Sequence, residues 1–175
     1  MTIEVKEYHN QIVEMSKMVT LKDGHHMPIH LLNSDKGQIV LGDSICNEES
    51  KDYSAEKIRA LIKEHNCTSY TFIGEANMWV SKPKTKMSES VFNYLTTTKS
   101  GYEMMKQHSE KRDVLIIKTE AINGVNLMTT FDVQRDDNDD IVRLKLMDKD
   151  DCDDQLQQMS TRFGGVFSEE SDELL

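Results

Sequence analysis

The chain has 175 residues and a formal net charge of −10, and 37% of its residues are hydrophobic. This length suits one domain with a sizeable core, so neither a disulfide nor a structural metal is needed to explain stability. Residues 132–175 hold 14 of the 31 acidic and 5 of the 21 basic residues, so the first 131 residues are nearly neutral. Such a chain lacks the clustered Lys and Arg of nucleic-acid binders, and we expect no direct contact with nucleic acid.

Cysteine content and hydropathy indicate the cellular compartment. Its three cysteines, Cys46, Cys67 and Cys152, are widely spaced and form no CxxC pair, which argues against a disulfide framework or a zinc knuckle. The N-terminus MTIEVKEYHN has no apolar signal-like segment, and no apolar run approaches the roughly 20 residues of a membrane span. We therefore expect reduced thiols, a cytoplasmic location and no membrane contact.

The first predicted element is an N-terminal helix. Apolar residues recur at spacings of 3, 4, 3 and 4, which predicts one helical face packed in the core: Val5, Tyr8, Ile12, Met15 and Val19. The helix should end at Asp23-Gly24, before Pro28.

A hairpin and a second helix should follow. Apolar runs at 27–32 and 38–41 flank the turn-forming segment 33–37 (NSDKG), which predicts two strands and a connecting loop. The segment 53–66 has Ser54 as a candidate N-cap, an apolar face, and Asn66 at a candidate stop, which indicates a helix.

The segment 70–80 (YTFIGEANMWV) is rich in strand-forming residues but carries Glu75 in its middle. Alternation puts the even-numbered residues on one face, predicted to be core, and the odd-numbered residues on a mixed face. An acid in the centre of a buried strand must be paired, hydrogen-bonded or neutralised. Glu75 is therefore either a structural ion-pair partner or part of a site.

Further strands are predicted at 113–120, 125–134 and 141–147, separated by Asn123-Gly124 and by the acidic turn 136–140. Segment 82–107, basic and then weakly helical, is predicted to be an insert or flap. Periodicity is lost from Asp148 onward, and the apolar patch 163–167 (FGGVF) precedes SEESDELL. Residues 151–175 are expected to be an acidic tail, either disordered or docked through that patch.

These elements predict an α+β domain over residues 1–150. It would contain an antiparallel sheet of five or six strands, with the N-terminal and second helices against one face. The order of elements, the strand ending in Glu75-Ala76-Asn77-Met78-Trp79, and the segment Ser109–Arg112 resemble a loosely defined group of small bacterial and phage α+β proteins with an EAW-type strand. Asn77 and the insert 82–107 depart from that pattern. The resemblance implies a fold and no settled activity.

The histidines suggest one possible metal site. His26 and His30, with Glu75, would resemble a two-histidine, one-carboxylate centre. However, strand positions four apart are separated by roughly 13 Å, which is too far for both rings to reach one ion easily. The glycines form no phosphate-binding or dinucleotide-binding pattern, and the acidic runs lack the glycine and glutamate of an EF-hand loop. We therefore expect no cofactor and no metal.

The best candidate ligand-binding cluster is Glu75, Asn77, Trp79 and Arg112. In one interpretation Glu75 forms a structural ion pair with Arg112 or Lys118. In the other, Glu75 recognises a ligand and Trp79 is a stacking wall. The preferred function is a non-catalytic binding or interaction module, of bacterial or phage type, for an unknown protein or small molecule, and a homodimer is one arrangement it could take. The alternatives are a small enzyme with a Glu75-centred site and an acidic mimic that inhibits a basic nucleic-acid-binding protein.

Overall fold

The computed structural model describes residues 2–43, 48–81, 94, 97–101, 103, 109–147 and 167. Two helices and six strands have defined bounds, in the order α1 (Thr2–Asp23), β1 (Ile29–Ser34), β2 (Gly37–Gly42), α2 (Glu48–Glu64), β3 (Ser69–Ser81), β4 (Ser109–Ala121), β5 (Asn126–Arg135) and β6 (Ile141–Leu146). The predicted α+β class and the six predicted strands are confirmed.

The strands form one antiparallel sheet in the order β2-β1-β3-β4-β5-β6. At its centre, β3 and β4 pair along their whole length, from Ser69 opposite Ala121 to Ser81 opposite Ser109. This register decides which side chains share a face, because residues directly opposite each other in an antiparallel pair point the same way. Strands β2 and β6 are the two edges of the sheet as described.

The two helices cover opposite faces of the sheet, so the prediction that both lie on one face is wrong. Ile12 and Val13 of α1 pack with the odd-numbered residues of β3 and β4, such as Ile73 and Ile117. On the other face, α2 packs its apolar side chains against even-numbered residues: Ile58 and Ile62 contact a cluster that includes Leu32 and Tyr70. The odd-numbered face of β3 looked half polar in the sequence, but its Thr71 is fully buried against α1's side of the sheet.

Helix α1 is rotated relative to the predicted apolar stripe. Its buried side chains are partly polar: His9, Ile12, Val13, Ser16 and Thr20. Of the predicted stripe, Ile12 is buried and Tyr8 packs against the core, but Met15 is 61% exposed and Val19 is also exposed. The periodicity predicted the helix correctly and its buried face only in part.

Several element boundaries differ from their predictions, and β4 begins at Ser109, four residues before its predicted start. The hairpin strands extend until Ser34 pairs with Gly37, which leaves Asp35 and Lys36 as the loop. Helix α2 begins at Glu48, before the predicted N-cap Ser54. Its predicted stop is confirmed, because Asn66 has a φ of 50°, a left-handed conformation that ends helices.

Most of the predicted flap and tail lies outside the described residues. Within 82–107, residues 94, 97, 99–101 and 103 are helical. Within 151–175, Phe167 is described; it is partly buried and packs against the α2-face cluster of Leu32, Ile58, Ile62, Cys67 and Tyr70. The patch 163–167 therefore contributes at least one contact to the body.

Gly74 gives β3 room for an aromatic ring. A Cβ placed at Gly74 would lie 2.7 Å from the tip of the Phe72 ring. The Phe72 ring in turn lies 5.3 Å from the His30 ring, measured between centroids. A glycine in a strand interior often marks such a close approach.

Candidate functional site

The structure does not bring the four predicted ligand-binding residues together. Glu75 and Asn77 share the α1 face of β3, and the side chain of Asn77 is exposed. Arg112 pairs with Met78 and therefore lies on the α2 face. Trp79 pairs with Lys111 near the end of β3.

The predicted ion-pair partners of Glu75 are also wrong. Lys118 lies opposite Phe72, on the α2 face like Arg112, and pairs with Glu120 at 2.7 Å. Glu75 instead contacts Arg135, with 3.5 Å between Oε2 and Nη2. Its second oxygen, Oε1, accepts a hydrogen bond of 2.7 Å from the backbone N–H of His26.

Arg135 is the centre of this arrangement, which we call the Arg135 cluster. Its Nε lies 3.9 Å from Oδ2 of Asp113 and 3.8 Å from Oδ1 of Asp139. Its Nη1 donates to the carbonyl oxygens of Gly24 and Asp139, at 3.0 Å each. One guanidinium thus joins the end of α1, β3, β4 and the β5–β6 turn, and guanidinium donors suit such multiple contacts. The cluster therefore has the features of a network that stabilises the fold, in which the charges are paired with one another.

The two candidate histidines lie in different environments. The Nδ1 of His26 lies 2.8 Å from the carbonyl oxygen of Met27, and it is the backbone of His26, not its ring, that contacts Glu75. The ring of His30 is on the α2 face and is 1% exposed. Among the described residues, no group of three or more His, Cys, Asp or Glu side chains could hold a metal ion.

His30 belongs to a buried hydrogen-bonded chain with Asp43 and Tyr70. Its Nε2 lies 3.1 Å from Oδ2 of Asp43, and its Nδ1 lies 3.0 Å from the hydroxyl of Tyr70. A neutral imidazole satisfies both contacts, since Nε2–H donates to the carboxylate and Nδ1 accepts from the phenol. Burial lowers the pKa of His30, against the opposing effect of Asp43, and burial raises the pKa of Tyr70 well above its usual value.

A second buried histidine, His9, holds α1 to the sheet. Its Nδ1 and Nε2 lie 2.8 Å from the hydroxyls of Thr119 and Thr129, and Thr119 also contacts Thr71 at 2.9 Å. Burial lowers the pKa of His9. These groups satisfy one another within the core, which is the usual condition of buried polar groups.

Exposed apolar side chains lie on the flank of α1 that faces the β1–β2 hairpin. The hydroxyl of Tyr8 accepts a hydrogen bond of 2.9 Å from Nε2 of Gln38, so this flank of α1 faces β2. Met15 and Val19 follow Tyr8 by 7 and 11 residues and share its flank. Helix α1 itself packs mainly on β3, β4, β5 and β6.

Strand β2 contributes one side chain to this surface. Val40 pairs with Leu31, a member of the α1-face core cluster, so Val40 points to the same face as α1. It is 58% exposed, and Met18 of α1 is exposed as well. We give the name α1–β2 shelf to the exposed apolar residues Met15 and Val19 on this flank of α1 together with Val40 of β2.

The outer edge of β2 carries few of the features that protect edge strands. Its sequence, GQIVLG, contains no charge and no proline, and among the described residues no strand pairs with that edge. By contrast, β6 carries Arg143 and Lys145 and meets β5 through a register shift between Gln134 and Arg135. Charges and irregular pairing discourage strand addition, so β2 is the edge more open to pairing.

Comparison with known proteins identifies no relative. No family model matches the chain, and neither the curated proteins nor the solved structures include a significant match. Within the described part of the chain, no helix has both the length and the apolar character needed to span a membrane. The function is therefore inferred from the geometry of the described residues.

The main residues of these sites were missed by sequence reasoning. Arg135 precedes an acidic turn at a strand end, where its reach to Glu75 depends on a register that the sequence does not show. His9 offered a weak signal, because it occupies a helical position three residues before Ile12 on the buried side. Tyr70 was read as core, and its contact with His30 depends on the pairing of β1 with β3.

Proposed function

We propose that this protein is a protein-binding module whose binding surface is the α1–β2 shelf together with the edge of β2. The observation that supports the proposal is the exposure of an uncharged edge strand next to an apolar helix flank. An edge strand without charges or proline presents unpaired backbone N–H and C=O groups to a partner strand.

Strand addition is the binding mode that this surface fits. In an antiparallel pair, residues alternate between those that exchange backbone hydrogen bonds with their neighbour and those that do not. Every second residue of β2 therefore directs its N–H and C=O away from β1. A partner strand would take up these groups, while its side chains on the α1 face would contact the shelf.

The two alternative functions receive less support from the described residues. The two carboxylate oxygens of Glu75 contact the His26 N–H and Arg135, so this side chain stabilises the fold. The acidic mimic depends on the acidic segment 132–175, of which residues 132–147 and Phe167 are described. The described residues therefore give more support to an apolar binding surface on the nearly neutral body than to either alternative function.

Site-specific photo-crosslinking tests the proposal. A benzophenone amino acid is placed at Val40 on β2 or, as the control, at Val142 on β6. The two positions are well matched, because both are valines on edge strands with exposures of 58% and 61%. Irradiation of cells that express each variant at its native level should give protein adducts at Val40 and none at Val142, read by immunoblot and mass spectrometry.

Adducts at Val40 of any protein partner, including a second copy of the chain, support the binding module. Equal adducts at both positions would mean that exposure alone causes capture. An absence of adducts at Val40, with the protein folded, would refute the proposed surface.

A further inference from the structure

We infer that the partner at the α1–β2 shelf is a second copy of this chain, joined edge to edge through β2. The inference rests on the proposed function, since it names the occupant of the same surface. The two six-stranded sheets would become one continuous antiparallel sheet, with a two-fold axis between the β2 strands.

The register of this pairing follows from the hairpin. Gly37 and Ser34 close the two-residue loop as a pair, so Gln38, Val40 and Gly42 are the residues of β2 whose backbone groups point outward. Two copies satisfy all of these groups when Val40 lies opposite Val40 of the second copy. Gln38 then faces Gly42, and Ile39 faces Leu41 on the other side of the sheet.

The side chains brought together are compatible with self-association. Because β2 has no charged residue, two copies do not place like charges opposite each other. The partly buried side chains of Ile39 and Leu41 meet on the α2 face and cover each other. On the α1 face, the two Val40 side chains lie side by side at the axis.

The contact between the two copies is made by the β2 strands and not by the helices, because α1 packs mainly on β3, β4, β5 and β6 and β1 separates β2 from β3.

Oligomeric state in solution provides the first test. The purified protein has a monomer mass of 20.2 kDa. In sedimentation it should reach twice that mass as its concentration is raised to about 100 µM. Val40→Lys should weaken self-association at least tenfold, because two lysines would meet at the axis. The matched control Val142→Lys should leave the dimer intact, and circular dichroism should show all three proteins folded.

Cysteine pairing tests the register. Two Val40 Cα atoms at the axis would lie about 5.5 Å apart, within the range of a disulfide. With Cys46 and Cys152 replaced by serine, Val40→Cys should form a linked dimer under mild oxidation, and Val142→Cys should not.

A chain that is monomeric over this concentration range overturns the inference, as does a dimer that resists Val40→Lys. Oxidation that links Val142→Cys as readily as Val40→Cys overturns the register. These results are distinguishable from failure of the proposed function. If the chain is a monomer but still gives adducts with other proteins at Val40, the identity of the partner is refuted and the proposed surface stands. If no adduct forms at Val40, the proposed surface itself is refuted.

Discussion

Replacing Glu75 by glutamine tests whether the Arg135 cluster stabilises the fold. The variant keeps a carbonyl oxygen that can accept from the His26 N–H, but it removes the charge 3.5 Å from the guanidinium and presents an amide N–H₂ to it. Arg135 keeps its bonds to two carbonyl oxygens and its contacts with Asp113 and Asp139. We therefore expect the free energy of unfolding to fall by about 1–2 kcal/mol. This is less than the roughly 3–5 kcal/mol lost when a fully buried ion pair is deprived of one partner.

The companion variant Arg135→Met should cost more, about 3 kcal/mol, because it also removes two charge-assisted hydrogen bonds to carbonyl oxygens. Urea unfolding of the wild type, both single variants and the double variant gives the coupling energy, which should be about 1 kcal/mol. Asp137→Asn, an exposed acid in the β5–β6 turn, is the control and should change stability by less than about 0.5 kcal/mol. Unchanged or higher stability of Glu75→Gln, or no coupling, would refute the structural role and restore Glu75 as a site residue.

Two further predictions concern α1 and the buried histidines. Ile12→Ala should destabilise the protein by about 2–4 kcal/mol, whereas Leu21→Ala, an exposed control on the same helix, should stay within about 0.5 kcal/mol in the same urea titration. Similar losses for both variants would contradict the burial of Ile12. The second prediction is that stability falls as the pH drops below 6.5, the ordinary pKa of histidine, because the unfolded chain binds protons that buried His9 and His30 resist. Each histidine should contribute up to about 1.4 kcal/mol per pH unit, and the double variant His9→Gln/His30→Gln should lose that part of the slope between about pH 6.5 and 5. An unaltered slope would show that other groups cause the pH dependence.

Local patterns determined the elements of this fold, and tertiary contacts determined their arrangement. Alternation predicted all six strands, and turn-forming residues such as Asn123-Gly124 separate β1 from β2, β4 from β5 and β5 from β6. The side of the sheet that α1 covers could not be predicted in this way. Its buried face uses His9, Ser16 and Thr20, whose burial is compensated by specific hydrogen bonds such as Thr20 Oγ1 to the carbonyl oxygen of Ser16.

The candidate site was harder to predict because it depends on register. Glu75 was recognised as needing a partner, and the structure supplies one, but the choice among Arg112, Lys118 and Arg135 requires knowing which residues share a face. A shift of one residue moves a side chain to the other side of the sheet. The exposure of Met15 and Val19 was not predicted, since both belong to the stripe that was expected to lie in the core. Their exposure follows from the position of α1 over β3 to β6, which leaves the hairpin beside it.

The close approach of Phe72 to Gly74 links two positions that the sequence alone treats as independent. The aromatic ring occupies the space above the glycine and carries contact onward to His30. Any side chain at position 74 would have to displace that ring, whereas a small residue at 72 would leave the glycine uncovered. Across divergent copies of this fold, positions 72 and 74 should therefore change as a pair, so that their joint variation marks this strand even where the surrounding sequence has drifted.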